Sequence, residues 1–135
     1  VSTIETIQSL FPIMLDSIPK ENQEIIVAKL KDPEKFGLPY PVPSVAKSEE
    51  TFNPHQNRLL WRGPTWPPTT WFVMEGLIKH GYIDLAKDIL GKWIDMYKHN
   101  GIYEYHNPLT GEAEGEEGLG MSTVIVDMIA RLKGK

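Results

Sequence analysis

Eight of the eleven prolines in this 135-residue chain lie between Pro33 and Pro68. Each one fixes φ and removes a backbone donor, so no long helix or central strand can pass through that stretch. Leu38-Pro39-Tyr40-Pro41-Val42-Pro43 is excluded from helix and reads as extended or polyproline-like. From Asp32 to Pro64 there is little periodicity at all. A loop of about thirty residues is unusual inside a compact domain, and such loops tend to be functional or disordered. Phe36, Tyr40 and Phe52 argue against disorder here.

The flanks read as helices. Ser2 to Glu5 forms a capping-box pattern, and Ile4, Ile7, Phe11, Met14, Leu15 and Ile18 follow at helical spacing. Pro12 interrupts that pattern, so a kink or two short pieces are expected. A second helix starts at Pro19, ends before Asp32-Pro33, and offers Ile25, Ile26 and Leu30 as its apolar positions. A third begins near Thr65 with Pro67 and Pro68 in its first turn. Its apolar residues lie on more than one face, as in a helix buried nearly all round, and Gly81 closes it. A fourth carries Leu85, Ala86, Ile89, Leu90, Trp93 and Tyr97 and stops at Asn100-Gly101. A short extended stretch, Ile102 to His106, leads into an acidic, glycine-rich loop. A last helix spans about Ser122 to Leu132. The fold class is all-α, in antiparallel helical hairpins around one long Pro-rich loop.

Composition narrows the function classes. A net charge of -4 with no visible basic patch argues against nucleic acid. The absence of cysteine excludes disulfides, thiolate nucleophiles and cysteine-ligated metal. His55, His80, His99 and His106 lack the spacing of a metal site, and the Glu112–Glu117 cluster lacks a calcium-loop pattern, so no metal and no cofactor are expected. No apolar run is long enough to span a membrane, and no signal peptide is visible at the N-terminus, so a cytoplasmic location is the expectation.

Helix geometry then brings distant residues together. The third helix runs roughly 22 Å away from the Trp61–Trp66 loop at about 1.5 Å per residue. A tight turn at Gly81-Tyr82 sends the fourth back antiparallel. Ile102–His106 is thereby delivered to the end that holds Trp61 and Trp66. That end collects tryptophans, an arginine, tyrosines and a carboxylate, a mixture suited to sugars, whose C–H faces meet flat rings and whose hydroxyls meet charged groups. Trp71 and Trp93, at helical spacing among aliphatics, read as core.

Three runs carry a resemblance: Leu60-Trp61-Arg62-Gly63-Pro64-Thr65-Trp66-Pro67-Pro68, then Gly76-Leu77 with His80-Gly81-Tyr82, then Tyr103-Glu104-Tyr105-His106-Asn107-Pro108 with Thr110-Gly111-Glu112. In this order the chain resembles the C-terminal part of the (α/α)6-barrel glycosidases related to glycoside hydrolase family 63, and within them the mannosylglycerate and glucosylglycerate hydrolases. Asp32-Pro33, Phe36, Pro39-Tyr40-Pro41 and Phe52-Asn53-Pro54 extend the similarity over nearly the whole chain. The resemblance implies that residues 1–135 supply about five of the twelve helices of such a barrel. It implies hydrolysis of an α-glycosidic bond with inversion, with Glu104 as general base. Trp61, Arg62, Gly63 and Trp66 would form the sugar wall, and Tyr40 and Tyr105 further contacts.

The sequence departs from the family pattern in three places. Leu60 replaces a tyrosine, Leu119-Gly120-Met121 replaces Phe-Ser/Gly-Trp, and no aspartate stands in the Trp- and Gly-rich context of the family's general acid. The acid is therefore expected upstream, leaving the segment inactive by itself and prone to self-association through exposed apolar faces. The competing reading is a non-catalytic helical module that binds carbohydrate or protein.

Overall fold

The computed structural model describes residues 3–55 and 61–135. Ser2 of the expected capping box and Leu60 lie outside the described residues. A 3-10 helix (Ile7–Met14) opens the fold, followed by α1 (Lys20–Lys31), the long loop, α2 (Pro67–Lys79) and α3 (Ile83–Asn100). A hairpin of β1 (Tyr103–His106) and β2 (Ala113–Glu117), a second 3-10 helix (Gly120–Thr123) and α4 (Val124–Leu132) complete it. The architecture is helical, with one small two-stranded sheet that periodicity had not announced. β2 is the acidic Ala-Glu-Gly-Glu-Glu stretch, whose composition reads as a loop.

The first helix differs from its expected form. It is 3-10 over all eight residues, and its buried side chains are Ile7, Leu10 and Ile13. That spacing of three is the 3-10 period. Ile4 and Leu15, assigned to an α-helical stripe, are exposed instead. Pro12 sits inside the element, where its missing donor is compatible with the tighter winding. The Glu5 carboxylate meets Lys29 and Lys35, while the Glu5 N–H donates to Glu49 Oε1. Burial pushes this carboxyl up, but hydrogen bonds from the two lysines outweigh it and leave it below the usual range.

The Pro-rich loop is ordered by burial. Phe36, Leu38, Val42, Val45 and Ala46 are all buried. Its backbone is stitched into the fold by Ile7 N–H to Ser44 O (3.0 Å), Ala46 N–H to Glu5 O (2.9 Å) and Ser44 N–H to Pro64 O (3.0 Å). These bonds satisfy backbone groups that the prolines keep out of regular ladders.

α2 and α3 form the expected hairpin. Gly81, at φ +80°, ends α2, with Tyr82 N–H to Leu77 O (2.9 Å) and Gly81 N–H to Ile78 O (3.2 Å) closing the last turn. Val73, Met74 and Leu77 of α2, Ile89, Trp93 and Met96 of α3, and Ile125, Met128 and Leu132 of α4 share one core with the 3-10 helix. Trp93 is fully buried, as its spacing implied. Trp71 is half-buried and donates its Nε1–H to Asp127 Oδ2 (2.7 Å), tying α2 to α4.

Candidate active site

The end of the hairpin is built around Thr65, the residue before the N-cap of α2. Its N–H donates to His106 O (2.9 Å) and its carbonyl accepts from His106 N–H (3.1 Å). Its hydroxyl donates to Val42 O (2.9 Å). One buried threonine thus joins the Pro-rich loop, the start of α2 and β1. The two segments about forty residues apart do share one end.

Three rings follow from this join. Trp61 stacks on Trp66 with centroids 4.3 Å apart and planes 10° from parallel, and Trp66 stacks on Tyr105 at 4.6 Å. Trp66 and Tyr105 are buried, at 3% and 5% exposure, whereas Trp61 is 50% exposed. Trp61 is the exposed end of the stack. Gly63 is buried beside it, donating its N–H to Ser44 Oγ (2.9 Å). A Cβ on Gly63 would meet Pro54 N at 2.8 Å, so the close approach of these two loops requires glycine. Arg62 is exposed and its carbonyl accepts from Asn53 N–H; among the described residues no carboxylate pairs with its guanidinium. Tyr40 is not among the stacked rings. Its N–H donates to Pro108 O (2.9 Å), its ring lies against Gly111, and it borders a groove of about 370 Å³ with Gly91 and Asp95 of α3.

Glu104 stands on β1 beside Tyr105 and is half-buried. The β1–β2 register pairs Tyr103 with Glu117 and Tyr105 with Glu114. Two steps on β1 therefore match three on β2, so Gly115 and Glu116 together oppose Glu104. This is a β-bulge, with Gly115 at φ +78°. The Glu116 N–H points at Glu104 Oε2 (3.4 Å).

Asn107 explains why Asn-Pro follows the strand. Its Oδ1 accepts from Leu109 N–H (2.9 Å), its own N–H donates to Glu112 O (2.9 Å), and its carbonyl accepts from Gly111 N–H (2.8 Å). It makes the turn to β2. Its side-chain amide also donates to His55 Nδ1 (3.0 Å). Behind the strand, His106 is fully buried between Trp93 and Tyr97, with Nε2 bonded to Gly101 O (3.1 Å). Burial pushes its pKa down to about 4, against the opposing pull of that carbonyl.

Sequence reasoning had not singled out Glu114. Its Oε2 is buried without a partner, and burial followed by the charge of Glu112 raises its pKa, with His55 pulling the other way. Burial, then Glu114, then Glu104 likewise raise the Tyr105 hydroxyl. The signal for Glu114 is its cross-strand place opposite Tyr105, which is unreadable until β2 is known to be a strand. Among the described residues no group of three His, Asp or Glu side chains is placed to hold a metal, and no helix is long and apolar enough to cross a membrane.

A family model described as the mannosylglycerate hydrolase MGH1-like glycoside hydrolase domain matches residues 2–122. The chain belongs to this family. It is 28% identical over 124 residues to a mannosylglycerate hydrolase of Thermus thermophilus, covering 90% of this chain and 28% of that protein. It is 25% identical to a mannosyl-oligosaccharide glucosidase of Saccharomyces cerevisiae, over 91% of this chain and 17% of that one. In three dimensions it matches a GH63 mannosylglycerate hydrolase from Thermus thermophilus in complex with glucose, at TM-score 0.81 and 24% identity, over 98% of this chain and 32% of that one. The chain therefore has the fold of part of a GH63 hydrolase and spans less than a third of the length of these relatives.

Proposed function

We propose that this segment supplies the general base and part of the sugar pocket of an inverting α-glycosidase acting on a small glucoside, mannoside or oligosaccharide. The observation that carries the reading is that Glu104 adjoins Tyr105 on β1 and its charge reaches the Tyr105 hydroxyl, while Tyr105 closes the Trp61–Trp66–Tyr105 stack. Membership of a glycoside hydrolase family, and relatives named for mannosylglycerate and mannosyl-oligosaccharide, support the substrate class.

The exposed face of Trp61 is the surface on which a sugar's C–H groups pack, with Trp66 and Tyr105 holding that ring in place. Arg62, at the rim with an unpaired guanidinium among the described residues, is available to substrate hydroxyls or a carboxylate aglycone. Gly63 lets the loops approach, and Tyr40 stands at the edge as a further contact. Glu104 takes a proton from a water, whose oxygen attacks the anomeric carbon on the face opposite the leaving group. The leaving oxygen needs a proton from a second carboxyl, held roughly 6.5–9.5 Å from the first in inverting enzymes. None of this chain's aspartates has the family context of that acid, so the acid belongs to another part of the enzyme and the isolated segment does not turn over substrate. In the intact enzyme Glu104→Gln lowers kcat by roughly 10²–10⁴-fold with folding intact. An NMR time course on an α-glycoside should give the β-anomer first. Turnover at the wild-type rate in Glu104→Gln overturns the assignment, and an α-anomer as first product overturns inversion.

A further inference from the structure

We propose that the Gly115–Glu116 bulge positions Glu104, with Gly115 acting as a positioning residue through the contact of its bare Cα with the Glu104 side chain. The inference rests on the assignment of Glu104 as the base. Four observations carry it, all drawn from the strand opposite Glu104 rather than from Glu104 itself.

The bulge falls opposite Glu104 and nowhere else in the β1–β2 ladder, where Tyr103 pairs with Glu117 and Tyr105 with Glu114. An extra residue on one strand bends it and re-aims what it faces, a device found beside active sites. Next, Gly115 adopts φ +78°, a conformation side chains rarely accept. A Cβ there would also meet Glu104 Oε2 at 2.6 Å, Glu104 Cβ at 2.7 Å and Tyr105 Cε1 at 2.8 Å. The missing side chain at Gly115 therefore leaves free the space that Glu104 and Tyr105 occupy. Last, the bulge turns the Glu116 N–H toward Glu104 Oε2 (3.4 Å). A donor aimed at a carboxylate oxygen fixes the direction of that carboxylate, and a general base must be held within reach of the proton it takes.

Gly118 provides an internal comparison. It shares the positive φ, at +67°, but a Cβ there meets nothing within 4 Å. Backbone strain is common to the two glycines, and contact with Glu104 belongs to Gly115 alone.

The test uses the intact enzyme. Gly115→Ala should lower kcat tenfold or more with KM within about twofold, the split expected when a base is misplaced and substrate binding is kept. Glu116→Pro removes the N–H aimed at Glu104 Oε2 and should lower kcat by less than Gly115→Ala does. Gly118→Ala should leave kcat and KM unchanged. If Gly115→Ala fails to fold, Glu116→Pro decides alone. Wild-type kcat in both the Gly115 and Glu116 variants, or an equal loss in Gly118→Ala, overturns the positioning role. Glu104→Gln in the same series separates the two ideas: an active Glu104→Gln defeats the assignment of the base, while an inactive one alongside a normal Gly115→Ala defeats only the role of the bulge.

Discussion

His106 sits directly behind the residues proposed to do chemistry, walled by Trp93, Tyr97 and Tyr103, and its pKa of about 4 makes it neutral throughout the physiological range. The sign of the consequence is fixed by linkage. The folded pKa lies below the ordinary 6.5, so as pH falls past about 6.5 the unfolded chain takes up a proton that the folded one refuses. Stability from this group is complete above pH 6.5 and is lost progressively down to about pH 4, by on the order of 3 kcal/mol. His106→Phe should flatten that part of a plot of Tm against pH. An unchanged slope in the variant would show that another group is responsible. Glu114 works in the opposite sense. With its pKa raised by burial, its carboxyl is more easily held neutral in the fold, so Glu114→Gln should be tolerated at neutral pH and raise stability there slightly, as thermal melts would report.

At the scale of elements, the α2–α3 hairpin was legible in the sequence because its determinants are local. Pro67-Pro68 start α2, Gly81 ends it, and a 3.6-residue apolar period places Trp93 inside α3. The 3-10 helix was not, because propensity rules assume the α period, and here Pro12 and burial at Ile7, Leu10 and Ile13 select a period of three. β2 was hidden for another reason. Its side chains are charged and mostly exposed, so its strand state comes from pairing with β1 and not from its own residues. Helix geometry brings Ile102–His106 to the end that holds Trp61 and Trp66, and the family resemblance singles out Glu104, but it could not say that Trp66 and Tyr105 are buried beneath Trp61. Nor could it assign work to Gly115. The close packing of α2 on the 3-10 helix is equally a tertiary fact. A Cβ on Gly76 would meet the Ile13 carbonyl carbon and oxygen at 2.8 Å. Gly76→Ala should therefore destabilise the fold by roughly 1–3 kcal/mol despite its better helix propensity, a loss visible in urea unfolding.

The whole molecule has the fold of part of a GH63 toroid, and some of its apolar side chains are exposed. Val126 and Ile129 of α4 and Ile102 are exposed, and a groove of about 290 Å³ between α3 and α4 is lined by Ile94, Tyr97, Ile102, Ile125 and Ile129. Contiguous apolar surface of this kind favours association. The isolated segment should self-associate at high concentration, and Val126→Lys with Ile129→Lys should reduce the mass measured by light scattering; a clean monomer without these changes contradicts the expectation. The central claim, that Glu104 is the general base proposed above, is tested most directly by chemical rescue. Azide needs no deprotonation and can occupy the space left by a shortened side chain. In the intact enzyme, Glu104→Ala should be almost inactive in water and should recover turnover with azide, yielding the β-glycosyl azide from an α-glycoside. Full hydrolytic activity in Glu104→Ala without azide would contradict the account.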